Sequence, residues 1–325
     1  MWRIRRSMQV ALGLAVFAAV ADGGTARAQT LLRWKFQPGA TFRYVLTQQM
    51  EQTIQGGSKG PVTLTTTMSG DTLWKVESVD KDGAGTVSQT MEGMRIKVQG
   101  PQGVVVDYDS ASGKEPEGAA KMVAPVFEAM IQNASIVKFD AQGKALEVKP
   151  PQGLLESVGK LAGGKPMGDM FSPESMKQFY DSVVLAEQPV KKGDTWSRQV
   201  DMKLPFVGVL AVEYKYEYLG RESRRGKALE KLVLTMAMKS QKDKPATKDK
   251  EDAKDNKTPV FTFKDWTAHG ELYFDNAAGR LVESEMKTRM KAEIAVMGKQ
   301  ATMDLKGTVR MDLQPGKAAK KPPKP

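Results

Sequence analysis

From Leu281 to Leu313 apolar and charged residues alternate almost without a break. Val282, Ser284, Met286, Thr288, Met290, Ala292, Ile294 and Val296 share one frame, and Ala301, Met303, Leu305, Gly307, Val309, Met311 and Leu313 share the matching frame on the return. Successive side chains of a strand point to opposite faces, so a period of two over this length predicts two long strands, each apolar on one face and charged on the other. A turn at Gly298-Lys299, with glycine in the first central position, predicts a hairpin. That turn sets Ile294 opposite Met303, Ala292 opposite Leu305 and Met286 opposite Met311. It also sets Lys291 against Lys306 and Glu293 against Asp304, and directly opposed like charges are unfavourable. The diagonals Lys291 with Asp304 and Glu293 with Lys306 are complementary, so the charged face and the turn chemistry disagree about the register.

The same period runs through much of the chain. Phe42, Tyr44 and Leu46 alternate after Pro38-Gly39, then Val62, Leu64, Thr66 and Met68, with Trp74 and Val76 keeping the frame past Gly70. Val87, Gln89 and Met91 give way to Met94, Ile96 and Val98, a slip of one position near Gly93 that predicts a β-bulge. Val200, Met202, Leu204 and Phe206 form a further set, followed by Leu210, Val212, Tyr214, Tyr216 and Tyr218. Leu232, Leu234, Met236 and Met238 come next, then Trp266, Ala268, Leu272 and Phe274. Antiparallel hairpins with one wet face produce such patterns. Helical spacing is confined to the middle. Val123, Val126, Phe127, Met130 and Ile131 predict a helix that Pro125 starts or kinks; Leu154, Leu155, Val158 and Leu161 predict a shorter one. Ser172-Pro173 reads as a capping serine and a first-turn proline, with Met176, Phe179, Tyr180 and Val183 on one face.

These elements predict an α+β protein, mostly antiparallel β: a large curved sheet or half-barrel of long strands with a few covering helices. Residues 29–314 form one large β-rich domain, with a helical middle at 115–185 and a disordered loop at 239–259. The halves 29–150 and 186–314 share short echoes that suggest a duplicated β-unit. Pro38-Gly39-Ala40-Thr41-Phe42 is matched by Lys192-Gly193-Asp194-Thr195-Trp196, and Phe139 to Lys144 by Phe274 to Arg280.

Residues 1–28 read as a signal peptide: Arg3, Arg5 and Arg6, an apolar stretch from Met8 to Ala21, and Ala26-Arg27-Ala28 before Gln29. The apolar stretch is short for a membrane span. Arg5-Arg6 leaves a twin-arginine route open beside the general one. Export to the periplasm or the exterior is expected, with no transmembrane helix in the mature chain. Cysteine is absent, so neither a disulfide framework nor a lipid-bearing cysteine is expected. The formal charge of +11 at first suggests an acidic partner. Most of it lies in the leader, the Lys-rich segment 239–257 and the tail, which leaves the body near neutral. That distribution argues against nucleic-acid binding, and the tail at 315–325 reads as a disordered basic end.

Three motif matches fail on context. Gly56-Gly57-Ser58-Lys59-Gly60 has the spacing of a hydrolase elbow but joins two strands. Gly159 to Lys165 has the spacing of a phosphate loop, yet Pro166 stands where Ser or Thr is needed. Ser157 and Lys160 have the spacing of the penicillin-binding serine motif without its companions. His269, the only histidine, lies in a strand in the frame of charged residues. No cofactor is expected, and zinc, copper and haem sites are excluded by composition. Asp80-Lys81-Asp82-Gly83 and Asp107-Tyr108-Asp109 offer oxygen ligands, but turn formation is the simpler role.

Methionine carries the functional signal. Met202, Met236, Met238, Met286, Met290, Met303 and Met311 fall on predicted apolar faces. This flexible, polarizable side chain suits surfaces that accept varied apolar partners. With Ile294, Leu305 and Val309 they either pack an ordinary core or line a cavity for a lipid or other apolar ligand.

Leu32-Arg33-Trp34-Lys35-Phe36-Gln37-Pro38-Gly39, and the stretch from Leu185 through Pro189-Val190-Lys191-Lys192-Gly193-Asp194-Thr195-Trp196, resemble exported bacterial proteins that carry a large domain of unknown function. That resemblance supplies no catalytic residues. In architecture alone the chain resembles the periplasmic lipoprotein carriers, whose curved sheet shelters acyl chains. The expectation is a non-catalytic envelope protein that binds a lipid or other apolar ligand. An envelope scaffold that meets a protein partner through strand edges or the basic tail is the alternative, and a hydrolase without a recognisable motif is the third reading.

Overall fold

The structure, a computed structural model, describes residues 29–56, 60–160, 168–181, 183–204, 207–241, 260–296 and 299–315. Four strands come first: β1 (Thr41–Gln55), β2 (Val62–Val79), β3 (Gly85–Gly100) and β4 (Gly103–Asp109). The middle holds helix α1 (Ala120–Gln132), strands β5 (Ser135–Phe139) and β6 (Ala145–Lys149), and helices α2 (Leu154–Gly159) and α3 (Pro173–Tyr180). Six strands follow: β7 (Thr195–Leu204), β8 (Gly208–Arg224), β9 (Lys227–Gln241), β10 (Val260–Asp275), β11 (Arg280–Val296) and β12 (Lys299–Leu313).

All twelve strands belong to one open antiparallel sheet in the order β6-β5-β3-β2-β1-β12-β11-β10-β9-β8-β7, with β4 beside β3. The first and last strands pair at its centre, Tyr44 facing Leu313 and Ile54 facing Met303. The curved, mostly antiparallel α+β sheet expected from the pattern is therefore the fold. Two expectations about its middle need correction. The helical stretch 115–185 is interrupted by the β5–β6 hairpin, which extends the sheet. Strand β9 runs through Lys239 to Gln241, residues expected in the loop. The remainder of that loop, the leader, Phe206, Leu161 and most of the tail lie outside the described residues.

The registers explain which side chains share a face. In β3 the pairing jumps from Gly93 opposite Asp71 to Met91 opposite Thr72, so Glu92 is the extra residue of the bulge expected here. Its carboxylate takes both Arg43 Nε and Nη2 at 2.6 Å. A second irregularity places Leu281 opposite Phe274 and Glu283 opposite Tyr273, so Leu281, fully buried, enters the core while Val282 is the residue left over.

The β11–β12 hairpin departs from expectation by two residues. Val296 pairs with Lys299, which puts Ile294 opposite Ala301, Ala292 opposite Met303, Met290 opposite Leu305 and Met286 opposite Val309. A shift of two keeps every side chain on its face, so the apolar pattern cannot detect it. The charges can. Lys291 now faces Asp304 and Glu293 faces Thr302, which removes the opposed Lys291–Lys306 and Glu293–Asp304 pairs of the other register. Two like pairs remain: Arg289 opposite Lys306 is relieved because Lys306 bonds Glu51 at 2.9 Å, and Glu283 opposite Asp312 because Arg225 bonds both, at 3.1 and 2.8 Å.

The main core lies on the apolar face of β7 to β11. Val212, Tyr214, Tyr216, Leu232, Leu234, Leu272, Phe274 and Leu281 are buried there. Helix α1 packs away from this core, against β3 and β4, whereas α3 touches both edge strands of the sheet, β6 and β7. Over the main core the cover comes instead from two extended segments, one carrying Leu32 and Trp34, the other Leu185, Ala186 and Val190. Thr30 and Val190 join the two through a pair of backbone hydrogen bonds of 2.7 and 2.9 Å. Arg33 adds bonds from its guanidinium to the carbonyls of Ala186 and Glu187, at 2.7 and 2.6 Å. Full burial of a side chain such as Leu32 or Leu185 stabilises by about 1.5–3 kcal/mol, which is what holds these segments on the sheet.

Both echoed turns serve this cover. Trp34 donates its backbone N–H to Ala141 in the β5–β6 turn at 2.8 Å, and Lys35 donates to Gly279 in the β10–β11 turn at 3.0 Å. Gly143 and Gly279 have φ of +90° and +63°, and a Cβ on either would strike Trp34 or Lys35 at 2.3 Å. Glycine is required at these turns by both backbone shape and the close approach of the segment.

Candidate ligand pocket

Where the Trp34 segment, α3 and the centre of the sheet meet, they leave an apolar pocket of about 230 Å³. Strands β1 and β2 contribute Tyr44, Leu46, Thr72 and Trp74; β3 and β5 contribute Gln89 and Phe139. Leu281 and Met311 come from β11 and β12, and Phe179, Tyr180 and Val183 from α3 and the segment after it. Each strand residue is there because it falls on the apolar frame, and α3 is fixed by its start: Ser172 Oγ accepts from Ser175 N at 3.3 Å, with Pro173 in the first turn. Cap and proline together favour helix initiation at that point.

The wall is aromatic. Trp34, Phe36, Phe139 and Trp74 form a ring of near-parallel neighbours, with centroid separations of 5.9 to 6.5 Å and interplanar angles no greater than 16°. Tyr44 stands edge-on to Trp74 at 5.1 Å and Tyr180 edge-on to Phe139 at 5.9 Å. Offset stacks and edge contacts of this kind favour rigid placement of the rings beyond simple burial.

Most polar groups of the wall are satisfied within the protein. Tyr44 donates its hydroxyl to the Leu281 carbonyl at 2.9 Å, and burial drives its pKa well above that of a free phenol. Tyr180 and Ser135 share a hydrogen bond of 3.1 Å, and burial likewise raises the tyrosine. Both phenols are therefore neutral donors and acceptors, not bases. Gln89 and Trp34 differ: Gln89 Nε2 and Trp34 Nε1 are buried with no hydrogen-bond partner among the described residues.

The ten positions expected to line a cavity are spread along the apolar face. Met311 lines the pocket. Met202 and Met303 are buried, Met202 with its sulfur 3.9 Å from the Tyr214 hydroxyl. Met236, Met238 and Met286 pack on the margin of the main core. Met290, Ile294, Leu305 and Val309 are half-buried further along β11 and β12. The aromatic residues of the pocket and Gln89 were not singled out by sequence reasoning. One signal was present: Gln89 is a polar residue in the frame of Val87 and Met91.

Two larger grooves, of about 710 and 600 Å³, lie open on the charged face, lined by threonines and by charges of both signs such as Arg95, Asp109, Glu285, Lys287 and Arg310. His269 borders one of them, with Nδ1 3.1 Å from Thr235 Oγ1. Two of the aspartates considered as metal ligands, Asp80 and Asp109, are engaged in turns. Asp80 Oδ1 accepts from the backbone of Asp82 and Ala84 at 3.0 and 2.9 Å while Lys138 bonds Oδ2, and Asp109 accepts from Ala111 and pairs with Arg95. At one end of the charged face the β8–β9 turn, with Arg225 at φ +52°, reaches across to β11 and β12. There Arg225 bonds Glu283 at 3.1 Å and Asp312 at 2.8 Å, and Arg224 also pairs with Glu283.

These features define an open antiparallel sheet protein with an aromatic pocket under its cover. A model described as a family of unknown function (DUF6263) matches residues 82–223, which bears out the resemblance to proteins carrying such a domain and includes the Leu185 to Trp196 stretch. No curated protein matches the chain. Among solved structures, a lipovitellin structure concerned with lipid–protein interactions is similar over 89% of this chain at 9% identity and a TM-score of 0.48. The chain spans 27% of that protein's length. The hypothetical lipoprotein YmcC from Escherichia coli K12 is similar over 79% of this chain and 85% of its own, at 8% identity and a TM-score of 0.19. An outer membrane channel from Pseudomonas putida F1 is similar over 90% and 99%, at 8% identity and a TM-score of 0.21. Likenesses at these scores carry no argument about function. Among the described residues no helix is long and apolar enough to cross a membrane.

Proposed function

We propose that the protein is an exported, non-catalytic envelope protein that holds a lipid or another apolar ligand in the pocket between Trp34, α3 and the sheet. The observation that carries this reading is the pocket itself, about 230 Å³ of space walled by aromatic and aliphatic side chains. A concave, mostly apolar wall with a few polar groups is the usual lining of a site for an apolar guest. Binding, as opposed to catalysis, is supported by a wall whose ionisable groups, among the described residues, are two phenols held neutral by burial. The leader-like pattern of residues 1–28 supports a protein working outside the cytoplasm.

The neutral fluorophore N-phenyl-1-naphthylamine tests the reading. Wild-type protein should bind it saturably with a blue shift, and Met311→Trp, which fills the pocket from β12, should weaken binding at least tenfold with the fold intact by circular dichroism. Equal binding by both proteins, or none by the wild type, overturns the assignment.

A further inference from the structure

On the charged face, away from the apolar pocket, one side chain from each of nine strands falls into a single transverse row. Lys97 on β3 faces Thr67 on β2, Thr67 faces Gln49 on β1, and Gln49 faces Thr308 on β12. The row continues through Lys287 on β11, His269 on β10, Thr235 on β9 and Lys215 on β8 to Ser197 on β7. At about 4.8 Å between neighbouring strands it runs roughly 38 Å. None of its members is an acid; Asp107 on β4, opposite Lys97, closes one end.

The charged face is hollow along this row. The grooves of about 710 and 600 Å³ share Gln49, Thr308 and Lys287, and together they contain the row from Lys97 to Thr235. Four of the flanking acids are occupied by cations outside the row: Glu51 by Lys306, Glu285 by Arg310, Glu271 by Lys231 and Glu213 by Lys239, at 2.5 to 2.9 Å. Lys287 keeps only a longer contact of 3.4 Å with Glu285. Arg289, on the wall of the trough, faces Lys306 and Thr267, neither of them an acid. A hollow with uncompensated positive charge focuses its field on an anion.

From the acid-free row and the trough that follows it, we infer that this face binds a linear polysaccharide bearing carboxylates, laid across the strands. Lys97, Lys287 and Lys215 donate to the carboxylates, and Thr67, Gln49 and Thr308 exchange hydrogen bonds with sugar hydroxyls between them. The strand spacing is close to the length of one sugar in an extended chain, so successive sugars meet successive strands. A trough suits a chain better than a planar bilayer, and a row without an aromatic ring offers no platform for stacked bases. The reading is independent of the apolar pocket.

Calorimetry on the mature protein tests it with four probes: an oligogalacturonide long enough to reach from Lys97 to Lys215, a neutral cello-oligosaccharide of the same length, polyglutamate and single-stranded DNA. The galacturonide should bind with an affinity that falls as salt rises, and the neutral glucan at least about tenfold more weakly. Lys287→Gln and Lys215→Gln should each weaken galacturonide binding about two- to fivefold, the worth of an exposed ion pair, and together about tenfold. Lys264→Gln removes the same charge outside the trough and should leave binding unchanged. No binding of the galacturonide, equal binding of the glucan, or an equal loss in Lys264→Gln overturns the site. Tighter binding of polyglutamate or DNA overturns the polysaccharide as its occupant.

Discussion

Replacing Gly143 by alanine probes how firmly the cover over the sheet is pinned. A Cβ at this position lies 2.3 Å from Trp34 Nε1 and 2.7 Å from both Trp34 Cδ1 and the Val183 carbonyl oxygen. Trp34 has no free direction in which to retreat, being stacked on Phe36 and Trp74 and set edge-on to Phe274 at 5.5 Å. Val183 is a backbone contact and yields less readily than a side-chain end. The φ of +90° contributes about 1 kcal/mol of strain for any L residue, and overpacking a fixed neighbour contributes about 1–3 kcal/mol. Gly143→Ala should therefore destabilise by about 2–4 kcal/mol. Gly193 supplies the control: its φ is +95°, but a Cβ there meets nothing within 4 Å, so Gly193→Ala carries the backbone component alone, about 1 kcal/mol. Urea denaturation followed by tryptophan fluorescence and circular dichroism gives both values. If Gly143→Ala costs no more than Gly193→Ala, Trp34 is not wedged between the β5–β6 turn and the sheet, and the wall of the pocket is looser than described.

Three further outcomes follow from particular contacts. Deleting Glu92 should be tolerated at a cost of about 1 kcal/mol, chiefly the pair with Arg43, because removing a bulge residue restores unbroken alternation; deleting Arg95 in the same strand should abolish folding by turning the residues beyond it to the wrong face, and equal solubility of the two would refute this. Glu230 is buried with its carboxylate held by Tyr218 at 2.6 Å and by two bonds from Arg221, so Arg221→Met should cost about 2–3 kcal/mol and the added Glu230→Gln should recover at least half of it in a double-mutant cycle. Hydrogen bonding and charge from Arg224, with help from Arg225 and Arg310, hold the Glu283 carboxyl below its ordinary value of 4.5. Its contribution is then complete above pH 4.5 and is lost as pH falls through the lower folded value, because the unfolded chain takes up the proton first. The stability gap between wild type and Glu283→Gln should narrow on acidification below pH 4.5, and a gap that widens there would contradict the assignment.

The strands were legible because nearly every one is wet on one face. Period-two alternation locates β1 to β3 and β7 to β12, and the slip between Met91 and Met94 reveals the bulge. The cap at Ser172-Pro173 marks α3 for an equally local reason. The register of β11 and β12 was not legible from hydrophobicity, since a shift of two preserves every face, and the opposed charges of Lys291 with Lys306 were the clue against the turn that the sequence suggested. The pocket was hidden for another reason. Its wall draws on the segment before β1, six separate strands and the end of α3, and the short Leu32-Trp34-Phe36 alternation that carries Trp34 lies outside the named strands. Methionine content drew attention to the β11–β12 face, yet only Met311 of the ten expected positions borders the pocket. Gln89, polar in an apolar frame, was the one local mark of the site.

The most direct test of an apolar, ligand-accepting pocket is a crystal structure of the mature protein under xenon pressure. Xenon enters dry apolar cavities and leaves a strong anomalous peak. The expected result is a peak between Trp74, Phe139, Leu281 and Met311, with no ordered water in that space before pressurisation. A pocket filled by repacked side chains, or occupied by hydrogen-bonded waters with no xenon peak, would contradict the proposal.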